Sequence, residues 1–104
     1  MNFEKIQNDT IRKEFLDEAI IHSNIWMYFT RSAIKVIKRC KELNRDVYRL
    51  EAFRIRSNGI QPSMTHSLIF NESTENWDEA VEFIKSKEET EFIFEIFYDG
   101  YYED

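Results

Sequence analysis

Two glycines and one proline in 104 residues leave no room for a Gly-rich phosphate loop or a long flexible linker, so the usual nucleotide-binding devices are excluded by counting. One cysteine, Cys40, has no partner for an intrachain disulfide. The two histidines, His22 and His66, stand far from Cys40 and from each other, and none of the three falls at the short spacing that zinc sites use. No metal or cofactor is expected. The longest apolar run, residues 25–29, is far shorter than the roughly 18 residues a membrane helix needs, so no membrane partner is expected. The opening Met1-Asn2-Phe3-Glu4-Lys5 lacks the basic-then-apolar order of a secretory signal, which points to a cytoplasmic location.

What the chain has in quantity is aromatic side chains and acid. Nine Phe, five Tyr and two Trp make up 15% of the residues and promise an aromatic core for a single domain spanning residues 1–104. The net charge of −6 conceals a division. Residues 1–56 carry 12 Lys or Arg against 8 Asp or Glu, whereas residues 57–104 carry 2 against 12. An acid surplus of that density sets up a potential felt by cationic partners over a Debye length of about 8–10 Å.

Periodicity gives a coarse map. A capping Asp9 or Thr10 followed by Ile11, Phe15 and Ala19, with Leu16 and Ile20 adjoining, predicts a helix to about His22. Ser23 or Asn24 can cap a second helix whose stripe is Tyr28 or Phe29, Ala33, Val36 or Ile37, Cys40 and Leu43. Val47 to Arg56 predicts a strand that changes phase near Ala52, which a bulge or a twist would reconcile. Ser57-Asn58-Gly59 is a turn signal that Ile60 to Ser63 extends into an uncharged loop, and Met64 to Phe70 alternates as a second strand, with Met64, His66, Leu68 and Phe70 inward. Asn76 with Glu79 resembles a capping box opening a third helix on Trp77, Ala80, Val81 and Ile84. Glu91 to Tyr98, apolar on both faces apart from Glu95, predicts a central strand. The expected fold is α+β in the order α-α-β-β-α-β, a small antiparallel three-stranded sheet packed on helices.

Catalytic groups are scarce. Cys40 lies on an apolar helix stripe, where a buried, inert thiol is the ordinary case. The loop with Asn58, Gln61, Ser63 and His66 offers amides, hydroxyls and one imidazole, which suits hydrogen-bonded recognition, but it has no third member for a hydrolytic triad. Nine basic residues between Arg31 and Arg56, with Tyr48 and Phe53 among them, could follow a phosphate backbone, a reading opposed by the pI near 5.0. The acids give the opposite reading. Glu88, Glu89, Glu91, Glu95, Asp99 and Glu103, with Tyr101 and Tyr102, combine carboxylates that can stand in for phosphates with rings that can stand in for bases.

The Phe53-Arg54-Ile55 strand, the polar loop, the Asn-initiated helix with its AVEFIK core and the apolar last strand together resemble small bacterial immunity proteins. The likeness covers about the last 60 residues and is closest to the colicin-immunity-like group that blocks tRNA-cleaving toxins. The N-terminal helical half has no counterpart in that layout. The resemblance implies a noncatalytic acidic inhibitor whose partner is a toxin, nuclease or other nucleic-acid enzyme. Two alternatives stand beside it: a phage anti-defence inhibitor of the anti-CRISPR kind, and a nucleic-acid-binding module using residues 31–56.

Overall fold

The computed structural model describes residues 9–70, 76–87 and 92–100, with the backbone alone for 64–66. Its elements in chain order are α1 (Thr10–Glu14), a 3-10 turn (Leu16–Glu18), β1 (Ile20–His22), β2 (Ile25–Phe29), α2 (Thr30–Glu42), β3 (Val47–Arg56), β4 (Gly59–Ile69), α3 (Trp77–Lys85) and β5 (Phe92–Tyr98). The class is α+β, as the sequence implies. The sheet, however, has five strands among the described residues, ordered β1-β2-β5-β3-β4 and antiparallel throughout, so the three-stranded sheet and the order α-α-β-β-α-β are corrected.

The difference arises at residues 15–29. The first helix stops at Glu14, and the second begins at Thr30, seven residues past Ser23. Between them, β1 and β2 form a hairpin in which His22 faces Ile25 across a two-residue loop. Ser23 and Asn24 take φ of 51° and 67°, the pair of left-handed conformations that a type I′ turn demands and whose twist matches the flanking strands. The β-branched and aromatic residues of IIH and IWMYF fit a pleated surface, and Tyr28 opposite Phe94 joins the hairpin to β5. The turn is improvable: replacing Ser23-Asn24 with Asn-Gly should raise stability by about 1 kcal/mol, and Ser23→Val should lower it by about 1–2 kcal/mol, because a β-branched residue resists positive φ. Denaturant midpoints measure both, and equal midpoints would contradict the turn assignment.

The remaining elements follow the sequence closely. β3 has the expected bounds, and its register against β4 shifts between Leu50 and Ala52, so of the bulge and the twist that its change of phase allows, the irregularity is a break in register. That shift opposes Leu50 to Leu68 and Ala52 to Ser63, so β4 pairs in two stretches. The hydroxyl of Ser67 bridges the break, accepting from the Ala52 N–H at 3.1 Å and donating to the Ser63 carbonyl at 3.1 Å. The supposed loop at 60–63 is therefore strand, and among the described residues β4 lies at the edge of the sheet, where the missing N–H of Pro62 is tolerated. Of the inward residues expected on 64–70, Leu68 and Phe70 pack on the core, while the side chains of Met64 and His66 lie outside the described residues.

The core lies between one face of the sheet and α2 with α3. Ala33, Val36, Ile37 and Cys40 from α2 and Trp77, Ala80, Val81 and Ile84 from α3 meet Tyr28, Leu50, Ala52, Phe94, Ile96 and Tyr98. All seven residues of β5 are buried, because β2 and β3 shield its edges and apolar clusters cover both of its faces. A fully buried side chain such as Phe94 contributes about 1.5–3 kcal/mol through the apolar area it removes from water. A smaller cluster of Met27, Phe53 and Ile93, with Ile20, Ile25 and Ile60 against it, fills the sheet's other face.

Candidate partner-binding surface

Two devices fix the end of the molecule where α2, α3 and the end of β5 meet. The first closes α2. Asn44 adopts φ of 55°, the Arg45 N–H donates to the Cys40 carbonyl at 2.8 Å and the Asn44 N–H to the Lys41 carbonyl at 3.1 Å, which is the Schellman pattern with Asn in the place glycine usually takes. The Arg45 carbonyl is thereby presented to Trp77, whose indole N–H donates to it at 2.8 Å. Asn76 supplies no side-chain cap, so the expected capping box does not form; its amide instead donates to the Val47 carbonyl at 3.5 Å.

The second device is Asp9. Its buried carboxylate accepts from the backbone N–H of Ile11 at 3.0 Å and of Arg12 at 3.2 Å, capping α1, and from the Tyr98 hydroxyl at 2.8 Å. Arg45 approaches it to 3.7 Å. Burial, reinforced by the Asp9 charge, pushes the Tyr98 phenol far above its ordinary range, and burial also raises Tyr28 despite the neighbouring Arg12. Burial likewise pushes the Cys40 thiol up to about 12, which keeps it neutral and unreactive.

Charge is distributed unevenly over the described surface. Lys35 pairs with Glu18 at 3.4 Å, Arg39 with Glu14 at 2.9 Å and Glu42 at 3.6 Å, and Arg49 with Glu51. The hydrogen bonds that Arg39 donates to the Glu14 carboxylate raise Arg39 further above its already high value. With Arg45 at 3.7 Å from Asp9, four bases of the first half thus pair with acids of the same half. In the second half Asp78 meets Lys41 at 3.4 Å, whereas Glu79, Glu82 and Asp99 are exposed and make no ion pair among the described residues.

The sequence-derived binding residues separate. Asp99 is exposed and clasped to the start of β3, its carboxylate accepting from the Asp46 N–H at 3.3 Å while its own N–H donates to the Asp46 carbonyl at 2.9 Å. Glu95 is only 6% exposed, opposite Glu51 in the sheet, and so offers no surface to a partner; a carboxylate assigned to the binding face is in fact an interior one. Glu88, Glu89, Glu91, Tyr101, Tyr102 and Glu103 lie outside the described residues. Asn58 and Gln61 are exposed and Ser63 half-buried along the β3–β4 hairpin, and the His66 side chain lies outside the description. Among the described residues no three His, Cys, Asp or Glu side chains converge as a metal site would require, and no described helix is long and apolar enough to cross a membrane.

One feature has no counterpart in the sequence reading. A groove of about 580 Å³ runs between α2 and α3, floored by Ile37, Trp77 and Val81 and rimmed by Lys38, Lys41 and Glu42 on one side and Asp78, Glu82 and Lys85 on the other. Its floor residues belong to the same stripes that build the core, so periodicity alone assigns them there. The rim charges at i, i+3 and i+4 on α2 and at i, i+4 and i+7 on α3 were the available signal. No protein-family model, curated protein or solved structure matches the chain.

Proposed function

We propose that this protein is a noncatalytic acidic inhibitor of the immunity type, which occupies a cationic nucleic-acid-binding groove on a toxin, nuclease or related enzyme. The observation that carries the reading is the distribution of charge: Lys35, Arg39 and Arg49 of the first half pair with Glu14, Glu18, Glu42 and Glu51, while among the described residues Glu79, Glu82 and Asp99 are exposed and make no ion pair, in a half that carries 12 acids against 2 bases. Such carboxylates can replace phosphates opposite a basic groove, where they steer encounter and set specificity. Direct nucleic-acid binding through residues 31–56 is disfavoured by the same pairs, since Lys35, Arg39, Lys41, Arg45 and Arg49 are already engaged. The chemistry serves equally for an anti-defence inhibitor; the partner's identity separates the two.

The test is inhibition of tRNA cleavage by a panel of nuclease toxin domains. The wild-type chain should block at least one of them, and Glu88→Lys, Glu89→Lys and Glu91→Lys together, or Glu79→Lys with Glu82→Lys, should weaken that block about a hundredfold or more while circular dichroism melts show the chain still folded. Inhibition that survives both sets of reversals would refute the acidic interface. Retention of tRNA itself at low salt would favour the basic-face reading instead.

A further inference from the structure

We infer that Asn58, at the tip of the β3–β4 hairpin, is a site of spontaneous covalent modification, where the chain converts its own side-chain amide into a carboxylate. Of the seven asparagines, Asn58 alone is followed by a glycine. Ser57 and Asn58 form the two-residue turn that joins β3 to β4, and Arg56 pairs with Gly59 beneath them. Residues 56–59 are all exposed, and the Asn58 amide makes no hydrogen bond among the described residues. Exposed tips of this kind open at little cost in free energy, so the amide and the backbone beside it can change their relative geometry.

That freedom lets the Asn58 side-chain carbonyl carbon meet the Gly59 backbone nitrogen, and a bond between them closes a five-membered ring. After most asparagines the next side chain obstructs the approach. Gly59 has none: its φ is 132°, and a Cβ there would meet nothing within 4 Å, so the space beside its nitrogen is open. The only co-reactant is water. The Gly59 nitrogen gives up its proton and attacks the carbonyl carbon, the bond from that carbon to the side-chain nitrogen breaks, and ammonia leaves with the proton. Water then opens the cyclic imide. Attack at the former side-chain carbonyl leaves an aspartate, and attack at the backbone carbonyl leaves an isoaspartate, whose main chain runs through the β-carbon.

The other glycine supplies a contrast. Gly100 follows Asp99, but the Asp99 carboxylate accepts from the Asp46 N–H at 3.3 Å and the Asp99 N–H donates to the Asp46 carbonyl at 2.9 Å, which holds that residue in place. An ionised carboxylate is also a poorer target for a nitrogen than an amide. At Asn58 either product adds a negative charge two residues from the exposed Arg56. The isoaspartate further inserts a backbone atom into a two-residue turn, whose length sets the Arg56–Gly59 register.

The test is incubation of the folded wild-type chain at neutral pH and physiological temperature over several weeks. Peptide mass spectrometry reads deamidation at each asparagine, and electron-transfer fragmentation separates aspartate from isoaspartate. Asn58 should convert at least about tenfold faster than any other asparagine, with isoaspartate the major product and a more acidic species growing on ion exchange at the same rate. Asn58→Gln, whose closure would need a six-membered ring, should stay unconverted at that position and keep its ion-exchange profile, with circular dichroism confirming that it is folded. Conversion at Asn58 no faster than at the other asparagines would overturn the inference. So would conversion seen only after unfolding in guanidinium, or a more acidic species that grows equally in Asn58→Gln.

Discussion

Raising the pH from about 9 to about 11 should remove on the order of 5 kcal/mol from the stability of this protein, as much as many small domains possess. Cys40, Tyr28 and Tyr98 all hold their protons more tightly in the folded state than in the unfolded chain, whose ordinary values are 9.0 for the thiol and 10.0 for the phenols. The unfolded state therefore releases protons first. The stabilisation is complete below those ordinary values and declines as the pH climbs toward the folded-state ones, by about 1.4 kcal/mol per pH unit for each group. Far-ultraviolet circular dichroism should record a cooperative alkaline transition, and two of the five tyrosines should ionise only as it occurs. Smooth titration of every tyrosine ahead of any loss of structure would be incompatible with a buried Tyr28 and Tyr98. The Tyr28→Phe variant should show a slope shallower by about 1.4 kcal/mol per pH unit above pH 10.

Asp9→Ala should be among the most damaging single substitutions, costing about 2–4 kcal/mol. It removes the cap of α1, worth about 1 kcal/mol, and leaves the buried Tyr98 hydroxyl without its acceptor, a penalty of about 1–3 kcal/mol. Tyr98→Phe alone should cost less, since it removes both the hydroxyl and its need. The two together should fall short of their sum by about 1 kcal/mol or more, the coupling expected of residues in one bond. Guanidinium denaturation of the four proteins gives the cycle, and strictly additive losses would mean that the 2.8 Å contact does not bind the start of the chain to β5.

The parts of the fold that were legible before the structure are those in which a single pattern admitted a single element. Ala33, Val36, Ile37 and Cys40 can be gathered on one side only by a helix, and the change of phase in VYRLEAFRIR marks a bulge or twist inside a strand whose bounds are otherwise plain. Residues 20–29 were not of that kind. Ser23-Asn24 serves equally as a helix cap or a hairpin turn, and the continuous run IWMYF has no period to decide between them; pairing with β5, some 65 residues away, decides. Pro62 misled for a related reason, since it excludes a central strand but not an edge one, and which strand lies at the edge is a property of the whole sheet. The groove was hidden because Ile37 and Val81 come from helices far apart in the chain and only their docking leaves a trough. Glu95 looked like surface because carboxylates usually are, and the strand that carries it turned out to have a neighbour on each edge.

The position of β5 bears on the time course of folding. β1 with β2 and β3 with β4 are local hairpins able to form early, but β5 must close two long loops to enter between them, so its docking is the step of highest entropic cost. Until it arrives, the inner edges of β2 and β3 face one another with unpaired amides and carbonyls. Those edges can also accept the equivalent strand of another molecule, which makes refolding at high concentration a competition between closure within one chain and exchange between two.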